Sequence, residues 1–333
     1  MPGRRVKSLD AAPRPRPFRH TVPVRSPSAP LPLAPSEVAG RQLALRYYDV
    51  ESRDGTRLRA WTNDADGPTV LLCNGMGTSP YVWPALLRPD CGVRVISWNH
   101  RGTGGSARPH DPELVGMDQF VEDALAVLDD AGLDSAPAMG WSIGVNTMYE
   151  LAVTHPERVS GLFAVAGVPG DTFTTIGAPL LLPPPIRKPI AVGVTRLLGR
   201  AGGPLTPLTT RLPIGPKVVG ALSHSGFMLP SADPDFTAVA VQQFLTTPVD
   251  WYMHLAHASA RHLRVSLRHV KVPAAFIAGR WDVLASAKSM RTASHRIPDA
   301  TYVELPASHF ISLEHPDRLH ALLRGFLTRV PPA

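Results

Sequence analysis

The sequence predicts an α/β fold in which a mostly parallel, eight-stranded sheet is flanked by helices. Three observations predict it. Short apolar runs alternate with amphipathic segments along most of the chain, the pattern of a parallel sheet covered by helices on both faces. Two early runs are joined across an Asp54-Gly55 turn. A long interval between Val168 and Val272 breaks this alternation and indicates an insertion into the sheet.

The first two strands form a hairpin at the sheet edge. Leu45–Glu51 and Arg57–Thr62 flank Arg53-Asp54-Gly55, and Asp-Gly is a strong hairpin signal. The other strands are short and continuously apolar, as expected for strands covered on both faces. They are Thr69–Cys73, Val93–Trp98, Ala136–Trp141, Val159–Val168, Ala274–Ala278 and Thr301–Leu305.

Helices are predicted between these strands by apolar stripes at helical spacing. Met117–Ala131 places Phe120, Val121 and Leu128 on one face, and Pro316–Leu327 repeats a similar stripe near the end of the chain. Inside the long interval, the helical stretches lie around Val192–Leu198 and Val239–Leu245.

The predicted domains follow from this pattern. Residues 36–168 and 269–333 form the α/β core, and residues 169–268 form an inserted, mainly helical cap. An insertion of this length inside one sheet is usually functional. We therefore expect a functional lid or cap here rather than a structureless loop.

Residues 1–35 differ from the rest of the chain. They contain nine prolines, seven Lys/Arg and one acid, without apolar periodicity, and so predict a disordered basic tail. We expect at most a weak association of this tail with an anionic membrane surface. Binding to nucleic acid is not expected, because no recognition motif follows the tail. It lacks the apolar run of a secretory signal, and Cys73 and Cys91 are too few for a disulfide framework. A cytoplasmic location is expected.

The chemistry of the chain centres on Gly140-Trp141-Ser142-Ile143-Gly144, which follows an apolar strand and opens a helix. In that context the string predicts a tight turn that presents the Ser142 hydroxyl at the carboxyl end of the sheet. The flanking small residues fit because backbones crowd there. Ser142 is therefore the predicted nucleophile, and a helix-capping serine is the alternative.

A serine nucleophile needs a base and an acid that orients the base. His309 follows the last predicted strand, and Asp282 follows Ala274–Ala278, so the three residues occur in the order Ser, Asp, His. Asp171 ends the strand after the serine and is the reserve candidate for the acid. His254, His257 and His262 have helical spacing but no thiolate or acidic ligand signature beside them, so no metal site is expected there.

Over roughly residues 40–330 the chain resembles the α/β-hydrolase superfamily. The Gly-x-Ser-x-Gly turn, the loop Asn99-His100-Arg101-Gly102-Thr103-Gly104-Gly105-Ser106 and the Glu314-His315-Pro316 that follows His309 are similar to motifs of that family. Three positions depart from its pattern. Asn74-Gly75 stands where His-Gly is usual, Val145 replaces a second glycine, and Ala307 replaces the glycine before His-Phe.

The resemblance implies an oxyanion hole and a reaction type. Backbone amides of Met76 and Ile143 would receive the negative charge that develops during acyl transfer. The expected function is hydrolysis of an ester, thioester or related acyl bond of an apolar substrate through a covalent acyl-enzyme. Hydrolysis through a covalent acyl-enzyme needs no organic cofactor, and none is expected. An acyltransferase with the same three residues, and a ligand-binding protein on a hydrolase scaffold, are the alternatives.

The cap sequence adds an expectation about the substrate. Residues 172–232 contain six Lys/Arg and no Asp or Glu, beside many apolar residues. This mixture predicts a cap that admits an acyl tail and tolerates an anionic head or surface, unless the apolar residues pack on the core. The basic residues are Arg187, Lys188, Arg196, Arg200, Arg211 and Lys217, and the apolar ones include Leu180, Leu181, Leu182, Ile186, Ile190, Val192, Val194, Leu197 and Leu198.

Overall fold

The computed structural model of the chain describes residues 36–174 and 184–331. The tail predicted over residues 1–35, and Leu180, Leu181 and Leu182 of the cap, lie outside these described residues.

An eight-stranded sheet forms the centre of the fold, as the sequence predicts. A small hairpin of strands β1 and β2 precedes it. The strands are β1 (Glu37–Val38), β2 (Arg41–Gln42), β3 (Arg46–Glu51), β4 (Arg57–Thr62), β5 (Thr69–Cys73), β6 (Arg94–Trp98), β7 (Ala136–Trp141), β8 (Val159–Val165), β9 (Ala274–Gly279) and β10 (Ala300–Leu305).

The strand order in the sheet is β10-β9-β8-β7-β5-β6-β4-β3. The β3–β4 hairpin lies at one edge. The β3–β4 and β4–β6 pairings are antiparallel, and the other five pairings of this sheet are parallel. Because β5, β7, β8, β9 and β10 run in the same direction, their carboxyl ends meet at one edge of the sheet. Side chains that follow these strands are thereby brought together.

Strand β8 is shorter than the predicted Val159–Val168. It ends at Val165 because Ala166 has a positive φ of 43°, which an extended strand cannot continue through. The apolar run itself extends to Val168, which is buried, so hydropathy alone could not reveal this end. Because the strand ends at Val165, the chain turns there beside Ser142, whose N–H donates to the Val165 carbonyl at 3.1 Å.

Two apolar layers cover the sheet, and alternate residues of the buried strands enter opposite layers. In β5, Val70 and Leu72 face one layer, while Leu71 and Cys73 face the other. This two-sided burial explains why the strand is apolar throughout.

Helices on both faces complete the core. The layer that contains Leu71 is formed by α1 (Met117–Asp130), α2 (Gly144–Thr154) and α7 (Ala287–Ser294). The layer that contains Leu72 is formed mainly by α9 (Pro316–Leu327), which the short α8 (Ile311–Glu314) precedes. The helices predicted at Met117–Ala131 and Pro316–Leu327 are thus present, the first ending one residue earlier.

The chain between β8 and β9 is helical. It contains α3 (Pro184–Thr210), α4 (Pro216–Ser223), α5 (Pro234–Leu245) and α6 (Val249–Ser259). Helix α3 extends well beyond the predicted Val192–Leu198 and continues through Pro189, Pro204 and Pro207. Helix α5 begins earlier than the predicted Val239, because the Asp233 side chain accepts the N–H groups of Asp235 and Phe236 and caps its start.

Side-chain contacts attach these helices to the core, among them those of Trp251 and Glu314. The indole N–H of Trp251, on α6, donates to the backbone carbonyl of Arg101 at 2.8 Å. The N–H of Leu229, in the loop between α4 and α5, donates to the buried carboxylate of Glu314 at 2.9 Å. None of the helices within residues 36–174 and 184–331 is both long and apolar enough to cross a membrane.

Candidate active site

Ser142 lies in a strained turn between β7 and α2. Its φ is +56°, a left-handed conformation that non-glycine residues rarely adopt. Crowding explains the glycines on either side. A Cβ on Gly140 would lie 2.7 Å from Val145 Cα, and a Cβ on Gly144 would overlap the backbone carbonyl of Cys73. The turn therefore depends on the small residues that the sequence analysis singled out.

His309 and Asp282 lie beside this serine. His309 Nε2 is 2.8 Å from Ser142 Oγ, and His309 Nδ1 is 2.8 Å from Asp282 Oδ2. Asp282 is 1% exposed and His309 is 4% exposed, so solvent scarcely competes for these contacts. Both residues follow strand ends, Asp282 after β9 and His309 after β10. The parallel sheet thus brings together three residues that are far apart in sequence.

Asp282 is held independently of the histidine. Its Oδ1 accepts the N–H groups of Leu284 and Ala285, each at 2.8 Å, while Oδ2 faces His309. These bonds fix the rotation of the carboxylate. An imidazole beside a fixed carboxylate carries its proton on Nδ1 and presents a basic Nε2 to the serine.

Asp171, the reserve acid, lies elsewhere. Its Oδ1 is 2.9 Å from Lys188 Nζ on α3, and it has a positive φ of 53°. The carboxylate that contacts His309 is that of Asp282. Asp171 instead links the segment that follows β8 to the first turns of α3 through Lys188.

The backbone N–H groups of Met76 and Ile143 are available at the serine. Both residues line the same cavity as Ser142. Neither N–H donates a hydrogen bond to any partner within the described part of the chain. Asn74, where the family pattern has histidine, accepts the Gly75 N–H at 2.9 Å and the Trp83 indole N–H at 3.0 Å. The asparagine thereby fixes the loop that carries Met76.

Glu314 is a supporting residue whose role the sequence analysis did not assign. Its buried carboxylate accepts the Ser308 N–H at 2.8 Å and also binds the Ser308 hydroxyl. It therefore fixes the residue before His309. The only signal in the sequence was its place in Glu314-His315-Pro316.

A cavity of about 540 Å³ opens beside Ser142, within the usual range for small-molecule sites. Its wall in the described structure contains His309 and no Asp, Glu, Lys or Arg. The wall combines core residues such as Trp141 with residues of α4, α5 and α6. Its main apolar members are Met76, Ile143, Phe173, Leu212, Ile214, Val218, Leu222, Phe227, Met228, Val241, Phe244, Leu245, Met253, Leu284, Phe310 and Leu313.

Two other titratable groups near the site are neutral. Burial raises the pKa of Tyr252, in the cavity wall, to about 12, so its phenol keeps its proton. Burial also raises the pKa of the Cys73 thiol, which is therefore a poor nucleophile. No group of three or more His, Cys, Asp or Glu placed to hold a metal ion occurs within residues 36–174 and 184–331.

The apolar residues singled out in the cap sequence do not form the cavity wall where the structure describes them. Ile186, Ile190, Val194 and Leu197 are exposed on the outer side of α3, and only Thr195 of this helix lines the cavity. Helical geometry explains the difference, because residues three or four apart share a face while their neighbours point elsewhere. Within residues 169–268, the side chains that do line the cavity lie mainly on α4, α5 and α6, where no site residues were predicted.

Comparisons with known proteins agree with this architecture. A family model described as alpha/beta hydrolase fold matches residues 68–316. A Caulobacter segnis protein named as a candidate carbamate hydrolase is 35% identical over 99 residues, covering 29% of this chain and 37% of that protein. Epoxide hydrolase B of Mycobacterium tuberculosis is 30% identical over 135 residues, covering 36% of this chain and 37% of that enzyme. These matches thus span little more than a third of either relative.

A solved structure is similar over a longer stretch. A thermophilic esterase from Thermogutta terrifontis superimposes with a TM-score of 0.64 and covers 85% of this chain and 98% of the esterase. Its sequence identity is 18%, so this likeness concerns the fold alone.

Proposed function

The chain belongs to the alpha/beta hydrolase fold family, and we propose that within this family it is a serine hydrolase that cleaves an uncharged, apolar ester or related acyl compound. One observation carries the proposal. Ser142, His309 and Asp282 form a chain of two 2.8 Å contacts at the wall of a large apolar cavity. A hydroxyl joined to a buried imidazole and carboxylate is the arrangement that activates serine for attack.

The reaction follows from this geometry. Ser142 Oγ attacks the acyl carbon while His309 Nε2 takes the hydroxyl proton, and Asp282 stabilises the imidazolium that forms. His309 then gives that proton to the leaving alcohol. The acyl group remains on Ser142 until water, deprotonated by His309, attacks it. His309 then returns this proton to Ser142 Oγ as the acid is released.

The N–H groups of Met76 and Ile143 are proposed to bind the oxyanion of both tetrahedral intermediates. Each such donor is worth about 3 kcal/mol of barrier. Their lack of another partner among the described residues supports this role, because a donor committed elsewhere could not turn to the substrate. Ile143 also precedes the first residue of α2, where the helix dipole favours negative charge.

The composition of the cavity wall supports the proposed substrate class. A charged group placed against it would lose its hydration without gaining a counter-ion. The lysines and arginines of the cap do not line the cavity, so an anionic head group would have to stay outside it. We therefore assign an uncharged acyl group of medium or greater length to the cavity.

A panel of nitrophenyl esters with graded acyl chains tests the proposal. The expected result is a higher kcat/KM for medium chains than for acetyl, and a low value for a hemisuccinate ester of similar size. Ser142→Ala should remove turnover of every ester. Highest kcat/KM for acetyl or for the hemisuccinate would contradict the assigned substrate class.

A matched pair of variants sharpens the test. Val218→Trp places a large ring in the cavity wall on α4, whereas Lys217→Trp places it on the exposed side of the same helix. The first should lower kcat/KM for longer chains while sparing acetyl, and the second should change neither. An added alcohol distinguishes transfer from hydrolysis, since a hydrolase releases mainly the free acid.

A further inference from the structure

Helix α3 carries an exposed apolar stripe on its outer face. Ile190, Val194 and Leu197 are 49%, 50% and 66% exposed, and Leu208 near the end of the helix is 66% exposed. Spacings of four, three and eleven residues place them on one side. A soluble surface rarely carries such a row without a partner.

The opposite face of α3 is already occupied. Thr195 is buried and lines the cavity, and a Cβ on Gly199 would meet Met253 of α6 at 3.4 Å. A Cβ on Gly202 would lie 2.5 Å from the backbone of Asp250, at the start of α6. The packed face of α3 thus includes Thr195, Gly199 and Gly202, while the four apolar residues of the stripe stay exposed, the reverse of an ordinary surface helix.

Positive charge flanks the stripe. Arg196 and Arg200 lie one turn apart beside it, and Arg211 and Lys217 follow the end of α3, all exposed. None of these four takes part in an ion pair within residues 36–174 and 184–331. Residues 172–232 contain no Asp or Glu, and the acids Asp171, which pairs with Lys188, and Asp250, which lies against Gly202, are placed beside α3.

The stripe leads to the mouth of the cavity. Leu212 follows Leu208 by one turn, its N–H donating to the Thr209 carbonyl at 3.3 Å. Leu212 and Phe227 line the cavity, and yet they are 42% and 41% exposed. Apolar side chains thus continue from the outer face of α3 to the entrance of the site.

We propose that the outer face of α3, with the entrance residues Leu212 and Phe227, docks on the surface of an anionic lipid bilayer. The apolar side chains enter the boundary between head groups and acyl chains, and the arginines and lysine contact the acidic head groups. A lipid bilayer is the partner that matches both features, because it offers an extended apolar layer under a negative surface. Docking in this orientation would face the cavity entrance towards apolar substrates dissolved in the membrane.

Vesicle flotation tests the proposal with the full chain. Vesicles of phosphatidylcholine alone are compared with vesicles that also contain phosphatidylglycerol, at low and raised salt. The chain should float with the anionic vesicles, and raised salt should release it. A chain that stays with the soluble fraction in the presence of anionic vesicles at low salt would overturn the proposal.

Two variants remove the two features separately. Ile190→Ser/Val194→Ser/Leu197→Ser removes the apolar stripe, and Arg196→Gln/Arg200→Gln removes two charges. The charge variant should lower the vesicle partition coefficient about thirtyfold, and the stripe variant at least as much. Because every variant keeps residues 1–35, the basic tail contributes equally to all of them.

Matched controls distinguish the stripe from general effects. Leu263→Ser removes another exposed leucine, and Arg318→Gln/Arg324→Gln removes two exposed charges on α9. Both should float like the unaltered chain, and all variants should keep its circular dichroism spectrum and melting temperature. Equal losses in variants and controls would overturn the proposal.

Light scattering after gel filtration tests whether a second copy of the chain, rather than a bilayer, covers the stripe. A chain that is dimeric, and becomes monomeric only in the stripe variant while vesicle binding persists, would show that the stripe joins two copies and would overturn the proposal. Neither flotation nor light scattering depends on catalysis, so these results remain interpretable if the proposed serine chemistry fails.

Discussion

Replacement of Asp282 by asparagine tests the organisation of the site, because the surrounding bonds dictate how the amide must lie. The Oδ1 position accepts two backbone N–H groups, from Leu284 and Ala285, each at 2.8 Å. An amide NH₂ at that position would face both donors and lose both bonds. The asparagine oxygen therefore takes this position, and the NH₂ group faces His309 Nδ1.

This orientation reverses the tautomer of the histidine. A donor at Nδ1 forces the proton of the neutral ring onto Nε2, which then donates to Ser142 instead of accepting its proton. We expect kcat to fall about ten-thousandfold, as for the equivalent change in the serine-protease template. This corresponds to about 5 kcal/mol of activation free energy. The melting temperature should change little, since the backbone bonds and the packing volume persist.

The assay is steady-state turnover of a medium-chain nitrophenyl ester, with Asp171→Asn as the matched control. Asp171 pairs with Lys188 and not with His309, so its replacement should leave kcat near that of the unaltered chain. A small loss with Asp282→Asn and a large loss with Asp171→Asn would refute the reasoning. A crystal structure of Asp282→Asn would show the amide orientation directly.

Three further predictions follow from residues around and beyond the site. Gly144→Ala should destabilise the fold by about 3 kcal/mol in urea unfolding because its Cβ overlaps the Cys73 carbonyl, whereas Gly325→Ala, with open space around it in α9, should stabilise by about 1 kcal/mol; equal effects would be contrary evidence. Burial lowers the pKa of His100 from 6.5 to about 4, so the unfolded state gains a proton at higher pH than the folded state. The free energy of unfolding should therefore fall by about 1.4 kcal/mol for each unit by which the pH is lowered from 6.5 towards 4. His100→Gln should flatten this dependence on pH relative to the unaltered chain. Removal of residues 1–35 should leave kcat/KM on water-soluble esters nearly unchanged, since their composition cannot supply a core, and a large loss would contradict this.

The sheet was predictable because its strands are marked by composition. Two-sided burial makes strands such as Thr69–Cys73 continuously apolar, and the Asp54-Gly55 turn marks the edge hairpin. The end of a strand could not be predicted where the apolar run continues beyond it, as it does after Val165. Helix α3 is longer than predicted. Its three internal prolines oppose helix formation locally, so the sequence pattern does not show its length, which depends on packing against α6.

The chemical residues were predictable to the extent that strand ends mark them. Asp282 and His309 each follow a strand, and parallel pairing then places them beside Ser142. Which of Asp282 and Asp171 contacts His309 is visible only in the coordinates, because both follow strands. The cavity wall could not be foreseen either. Whether a cap residue such as Val194 or its neighbour Thr195 faces the cavity depends on the rotation of α3 against α6.

The identity of the covalent nucleophile is tested most directly by mass spectrometry after reaction with a fluorophosphonate. The chain should gain the mass of one phosphonyl group, carried by the peptide that contains Ser142, and Ser142→Ala should gain none. A phosphonyl group on any other residue, or undiminished labelling of Ser142→Ala, would contradict the account.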